Sequence, residues 1–274
     1  MDPIIIQISQ LLLDKKFNEA ATKIKEFIAR GGDVRQVSVS FANKLLLGAD
    51  WPLISSLLPA ETNFFETSGW IKSMEESRPV ARDGTALPWL NYAAIDFIWT
   101  KLNKNMSVYE WGSGFSTLWM AQHVGKICTV EDDNNWYNEI EPKLPGNASI
   151  RFTGTGEQYV NSILEAEGQF DVVQIDGSHR VECAKICVEK LKDSGFIIFD
   201  NSDDEKFDEA MLFLEAKGFY RLDFVGLIPS YAYKNCTSIF FRDLGFLRNS
   251  QVPSKTNYAT GITCIQSMNR LSKI

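Results

Sequence analysis

Five short apolar runs in this chain lead into residues that could bind a ligand or move a proton, and four of the five end in an acid. The first, SVYEW, passes through Glu110 into Gly112-Ser-Gly114-Phe-Ser116-Thr117. Two glycines two apart permit a tight turn and close approach of a ligand to bare backbone, and Ser116 or Thr117 can cap a following helix. A dinucleotide fingerprint needs a third glycine where Thr117 stands, and Glu110 would repel a pyrophosphate, so the turn suits a cationic or hydroxyl-bearing ligand. The second run ends in Glu131-Asp132-Asp133, where a carboxylate can accept both hydroxyls of a ribose; the alternative is a solvated acidic turn. The third enters Gly154-Thr155-Gly156, a loop that could pass beside a flat ring. The fourth ends in Asp176-Gly-Ser-His179-Arg180 and the fifth in Asp200-Asn201-Ser202-Asp203. His179 follows a strand-end Asp-Gly turn and is the candidate general base, because histidine changes charge near neutral pH. His123, inside the apolar stretch STLWMAQHV, reads as structural. Arg180 fits either a clamp for a substrate carboxylate or phosphate, or a partner for a neighbouring acid.

These residues need a scaffold that brings strand ends together, and the hydrophobic pattern supplies one. After Leu90 a helix (NYAAIDFIWTKL) precedes the strand SVYEW. Helices and strands then alternate: STLWMAQHV, KICTVED, WYNEIEPKL, ASIRFTG, VNSILEAEG, FDVVQID, CAKICVEKLK, GFIIFDN and DEAMLFLEAKG, followed by the strands RLDFVGLI and CTSIFFRD. Such alternation implies parallel βαβ units, and with them an α/β fold with a doubly wound, mostly parallel seven-stranded sheet covered on both faces. The last two strands are joined only by GLIPSYAYKN and should pair antiparallel. In such sheets ligands bind beyond the carboxyl ends of the strands, where the acids lie.

The amino-terminal segment is of another kind. Apolar spacing from Pro3 to Arg30 predicts a helical hairpin stopped at Gly31-Gly32, with more helix beyond and a loop at ESRPVARDGTALP. The expected organisation is a helical region over 1–80 for packing, capping or dimerisation, a ligand-binding domain over 81–243 and a tail over 244–274. A homodimer through the amino-terminal helices is the expected assembly. The chain of 274 residues has a formal charge of -7, and the surplus lies in residues 107–243, which hold 12 basic and 23 acidic side chains. That balance disfavours nucleic acid, whose affinity comes from basic residues displacing counterions. Five scattered cysteines suit reduced thiols, two histidines are too few for an ordinary zinc site, and no signal peptide or membrane-spanning run is legible. A cytoplasmic protein with a small-molecule substrate and no membrane partner is the expectation.

Taken together, VYEWGSGFSTLW, VEDDNNWY, FDVVQIDGSHR and LKDSGFIIFDNSD resemble class I S-adenosylmethionine-dependent methyltransferases, nearest to small-molecule O-methyltransferase-like bacterial members, over about residues 88–243. The resemblance implies S-adenosylmethionine as cofactor, a Rossmann-like sheet with an antiparallel last strand, and methyl transfer to an acceptor hydroxyl. It implies that Glu110, Gly112 and Gly114, with Ser116 beside them, hold the methionine part. Glu131, beside Asp132, would take the ribose, and Thr155 to Gln158 would flank the adenine. A narrower resemblance, to catechol-type O-methyltransferases, implies that Asp176, Asp200 and Asn201 are oxygen ligands for Mg²⁺, which would activate a bound hydroxyl; otherwise Asn201 caps the next helix. Asp176 is thus expected both beside the cofactor and, with His179, in catalysis. The segments Trp70 to Trp89 and Pro229 to Asn235 are expected to roof the acceptor. A nitrogen or protein methyltransferase, or a non-catalytic cofactor-binding regulatory or scaffold protein, are the alternatives; a nicotinamide-dependent dehydrogenase ranks last.

Overall fold

The computed structural model describes residues 3–32, 64–248, 252 and 259–260; the helix expected within 33–63 and most of the basic tail lie outside the described residues. Helices α1 (Pro3–Leu13) and α2 (Phe17–Ala29) form the expected hairpin, which buries Ile5, Ile8 and Phe27 against one another. Two short helices follow, α3 (Phe64–Thr67) and α4 (Trp70–Glu76), and then α5 (Tyr92–Trp99), whose amino end is capped by the Asn91 side chain accepting from the Ala94 N–H. No helix among the described residues is long and apolar enough to cross a membrane.

From Ser107 strands and helices alternate: β1 (Ser107–Trp111), α6 (Phe115–His123), β2 (Lys126–Glu131), α7 (Asn134–Ile140), β3 (Ala148–Phe152), α8 (Glu157–Glu165), β4 (Phe170–Ile175), α9 (Arg180–Cys187), β5 (Leu191–Asp200) and α10 (Asp208–Ala216). Two further strands, β6 (Tyr220–Leu227) and β7 (Lys234–Phe241), complete one seven-stranded sheet of order β3-β2-β1-β4-β5-β7-β6. The pairs from β3 to β5 are parallel, and β7 runs antiparallel to both β5 and β6. The doubly wound sheet with its antiparallel last strand is the class I methyltransferase fold that the resemblance implied.

Period-two alternation divides the strand side chains between two apolar layers. Tyr109, Trp111, Val173, Ile175, Ile197 and Phe199 pack with residues of α8, α9 and α10 on one face. Val108, Ile127, Val172, Phe196 and Ile198 pack with α4, α5 and α6 on the other. Each large side chain buried this way contributes roughly 1.5–3 kcal/mol, so both layers hold the strand ends in fixed register. The second layer also takes in the first residues beyond β7: the Phe246 ring lies 4.8 Å from those of Phe196 and Phe241, and Thr260 donates through its N–H and hydroxyl to the Asp96 carboxylate on α5.

Candidate active site

The chain winds outward from β1 to β2 in one direction and from β4 to β5 in the other, so a crevice opens between β1 and β4 at their carboxyl ends. Its floor is made of two glycine turns. Gly112 has φ +89°, and a Cβ there would stand 2.7 Å from the Cα of Gly177; a Cβ on Gly177 would stand 1.9 Å from the Tyr159 hydroxyl oxygen. Beneath the first turn Glu110 is fully buried. Its carboxylate accepts from the Ser116 hydroxyl (2.5 Å), the Thr117 hydroxyl and the Gln174 amide (3.2 Å). Thr117 in turn accepts from the Gly114 N–H at 2.9 Å, which fixes the start of α6. Burial pushes the Glu110 carboxyl up to about 7, against the opposite pull of the Ser116, Thr117 and Thr129 hydroxyls. Glu110 is expected to touch the methionine part of a cofactor; the structure places it under the turn, where it braces Ser116 and Thr117 and does not line the cleft.

Glu131 ends β2 at the rim of the same cleft. One carboxylate oxygen accepts from the N–H groups of Asp132 and Asp133, both at 3.0 Å, and the other from the N–H (3.0 Å) and hydroxyl (2.7 Å) of Ser113. This carboxylate thus joins the second strand end to the glycine turn. The Trp136 indole donates to the Ser113 carbonyl at 2.7 Å, and a Cβ on Gly114 would lie 3.6 Å from its ring. The bare backbone at Gly114 therefore leaves a slot beside an aromatic ring, shaped for an extended ligand whose hydroxyls reach Glu131. Of the residues expected around S-adenosylmethionine, Gly112, Gly114, Ser116 and Glu131 line this part of the cleft. Asp132 and Asp133 do not line it; Asp133 caps α7.

At the ends of β4 and β5 lie Asp176, Asp200 and Asn201, as expected, but a guanidinium stands among them. Arg180 donates to the carbonyls of Asp176 (2.7 Å), Gly177 (2.9 Å) and Asp200 (2.6 Å) and to Asn201 Oδ1 (3.0 Å), and lies 3.1 Å from Asp176 Oδ1. The Asp200 carboxylate accepts from the Asn235 amide (3.1 Å) and the Thr237 hydroxyl (2.5 Å). Burial, and then the negative charge of Asp176, push Asp200 up to about 8; burial also raises Asp176, against the pull of Arg180. Mg²⁺ demands near-octahedral oxygens at about 2.0–2.1 Å. Here each of the three oxygen groups already has a protein donor and the positive charge is supplied by a side chain, so they do not fit such an ion. Among the described residues no group of three or more His, Cys, Asp or Glu side chains could hold one.

His179, the expected base, does not line the cleft. Its Nε2 lies 2.8 Å from the Thr155 hydroxyl and 3.2 Å from the Gly156 N–H, so the ring ties the loop after β3 to the loop after β4. Thr155 is turned to that contact and is likewise outside the cleft lining. The two expected roofing segments do meet. The Trp70 indole donates to the Tyr231 carbonyl (2.9 Å) and that of Trp89 to the Pro229 carbonyl (3.0 Å). Trp89, Tyr231 and Tyr233 stack in a row with centroids 6.0 and 5.2 Å apart.

The resulting cleft of about 370 Å³ runs from Glu131 and Trp136 past the glycine turns to Asp200, Asn235 and the aromatic wall. A volume of that order suits a small organic ligand. Asn235 was expected only as the end of a roofing segment, and its place beside Asp200 was missed by reading the strands from their carboxyl ends. Because β7 is antiparallel, its first residues, not its last, stand beside Asp200; the antiparallel reading of CTSIFFRD was the available signal. Its Nδ2 is fixed on Asp200, and its buried Oδ1 has no partner among the described residues.

No protein-family model matches the chain, and no curated protein sequence does. Its structure is similar, at low identity, to those of class I S-adenosylmethionine-dependent methyltransferases and related proteins. The O-methyltransferase TomG from Streptomyces achromogenes, in complex with SAM, is 14% identical over 70% of this chain and 94% of its own, with a TM-score of 0.46. An rRNA methylase from Streptococcus thermophilus is 13% identical over 55% and 94% (TM-score 0.43). Spermidine synthase from Thermotoga maritima is 13% identical over 64% and 67% (TM-score 0.47).

Proposed function

We propose that the cleft binds S-adenosylmethionine and that the chain directs methyl transfer to a hydroxyl of a small, flat acceptor. The carrying observation is the continuity of one cleft from Glu131 and the Gly112–Gly114 turn to Asp200 and the aromatic wall. When bound, the cofactor supplies an electrophilic methyl group on a sulfonium centre. Glu131 then takes the ribose hydroxyls, with the Ser113 hydroxyl free to rotate away, while Trp136 and the turn fix the ligand's long axis.

Positioning does most of the rate enhancement in a transfer with so good a leaving group. Trp89, Tyr231 and Tyr233 hold the acceptor against the cleft and exclude water. Asp200, whose carboxyl is pushed up to about 8 by burial and by Asp176, takes the acceptor's proton; a base matched to the working pH is the efficient choice. Asn235 Oδ1 accepts from a second donor on the same molecule. Asp200 thereby replaces His179 in the role of base.

The test is methyl transfer from labelled S-adenosylmethionine to a panel of hydroxylated aromatic compounds, read by mass spectrometry. Asp200→Asn should abolish labelled product yet bind S-adenosylhomocysteine as the wild type does; full turnover in that variant would refute the assignment of the base. Transfer to an amine nitrogen is the second reading, favoured by the aromatic wall above two acids, which also suits an ammonium group. Product from amines and none from phenols would select it.

A further inference from the structure

We propose that Arg180 is the resident cation of the cleft floor, holding the position that a divalent metal would take among Asp176, Asp200 and Asn201, so that this site needs no metal. The inference does not depend on which ligand the cleft accepts.

An arginine side chain has five N–H donors in a rigid planar fork and stays charged at any relevant pH. Here Nε faces Gly177 O, one terminal nitrogen faces Asp200 O and Asn201 Oδ1, and the other faces Asp176 O and Asp176 Oδ1. The donor set is fully used within the protein, which excludes the reading of Arg180 as a clamp for a substrate carboxylate or phosphate. All five acceptors come from the turns after β4 and β5, so one side chain joins two adjacent strand ends. The local backbone is built for this. His179 has φ 50° and Asn201 φ 53°, both in the left-handed region that costs a non-glycine residue energy. The first starts α9 with Arg180 at its first position, where a side chain leans back over the preceding turn, and the second turns Asn201 Oδ1 to the guanidinium. The Phe207 ring packs 5.3 Å from the guanidinium carbon and closes its far side.

A metal and this guanidinium would compete for the side-chain oxygens of Asp176 and Asn201. With Arg180 present, Asp176 and Asn201 are already coordinated by N–H groups, and a dication would meet a fixed positive charge. With the guanidinium removed, the Asp176 carboxylate, the Asn201 amide oxygen and three backbone carbonyls would face a space without a cation, next to Asp200, and the site should acquire the affinity for hard cations that the wild type lacks.

The probe is Mn²⁺, followed by electron paramagnetic resonance during titration of the full-length chain as wild type, Arg180→Ala, Arg180→Lys and the double variant Arg180→Ala with Asp176→Asn. The expected results are no stoichiometric site in the wild type up to about 1 mM, one Mn²⁺ per chain in Arg180→Ala with affinity at least about tenfold tighter, and none in the double variant. Arg180→Lys, which keeps the charge, should bind no more than the wild type. A stoichiometric wild-type site that disappears in Asp176→Asn would overturn the proposal. So would a folded Arg180→Ala that binds Mn²⁺ no better than the wild type. Near-UV circular dichroism establishes folding, and if Arg180→Ala does not fold, the wild-type and Arg180→Lys titrations decide.

Discussion

The backbones of Gly112 and Gly177 touch where β1 and β4 end, with room for a methyl group on neither: one on Gly112 would lie 2.7 Å from the Gly177 Cα, and one on Gly177 would lie 2.9 Å from the Gly112 nitrogen. Neighbouring strands stand about 4.8 Å apart, and both chains must turn at the same point for the crevice to open between them. Side chains at either position would push the turns apart and with them Ser113 and Asp176, which line the cleft on either side.

Gly177→Ala should therefore destabilise the fold by about 1–3 kcal/mol, the usual cost of overpacking. The added methyl points at the Tyr159 hydroxyl, 1.9 Å away, so Tyr159→Phe in the same chain should restore part of the loss. Urea denaturation of the two variants checks this. A Gly177→Ala protein as stable as the wild type contradicts the contact.

Stability should fall as pH rises through neutrality. An unfolded glutamate titrates near ~4.3, whereas burial holds folded Glu110 up to about 7 and folded Asp200 up to about 8. Between those values the folded chain binds protons that the unfolded chain releases. The contribution is thus complete below the unfolded pKa and lost as pH climbs through the folded one, at up to about 1.4 kcal/mol per pH unit for each group. Melting temperatures should be lower at pH 8 than at pH 5.5, and Glu110→Gln should lessen the slope. A melting temperature that rises over this range would run against the assignment.

The roof should depend on two indole-to-carbonyl bonds. Trp70→Phe keeps an aromatic ring but loses the bond to Tyr231 O, worth about 1 kcal/mol. Tryptic cleavage after Lys234 should then speed up by about fivefold, with S-adenosylhomocysteine affinity unchanged. Equal cleavage rates in wild type and variant would show that the bond does not secure the loop.

Much of the fold was legible because its signals are local. Alternating apolar strands and 3.6-period helices set the order of elements, and the missing helix in GLIPSYAYKN announced the antiparallel strand. Of the strand-end acids, Glu131, Asp176 and Asp200 line the cleft, since a parallel sheet brings its carboxyl ends to one side. What each acid does there was not legible, because it depends on which donors the turns and the neighbouring strand direct at it. Glu110 is covered by hydroxyls six and seven residues on; Asp200 is held by Asn235 and Thr237 from a strand running the other way; Asp176 and Asn201 are claimed by Arg180. His179 illustrates the same limit: its left-handed backbone turns the ring to Thr155, and nothing in Asp-Gly-Ser-His specifies that direction.

The central claim is that the Glu131 and Gly112–Gly114 end of the cleft is a site for S-adenosylmethionine, and isothermal titration calorimetry of the full-length chain tests it most directly. One molecule of S-adenosylmethionine or S-adenosylhomocysteine should bind per chain. Glu131→Ala, which removes the acceptor for the ribose and the tie to Ser113, should bind at least about tenfold more weakly. Absence of binding heat for either ligand at millimolar concentration, or equal affinity in Glu131→Ala, would contradict the account.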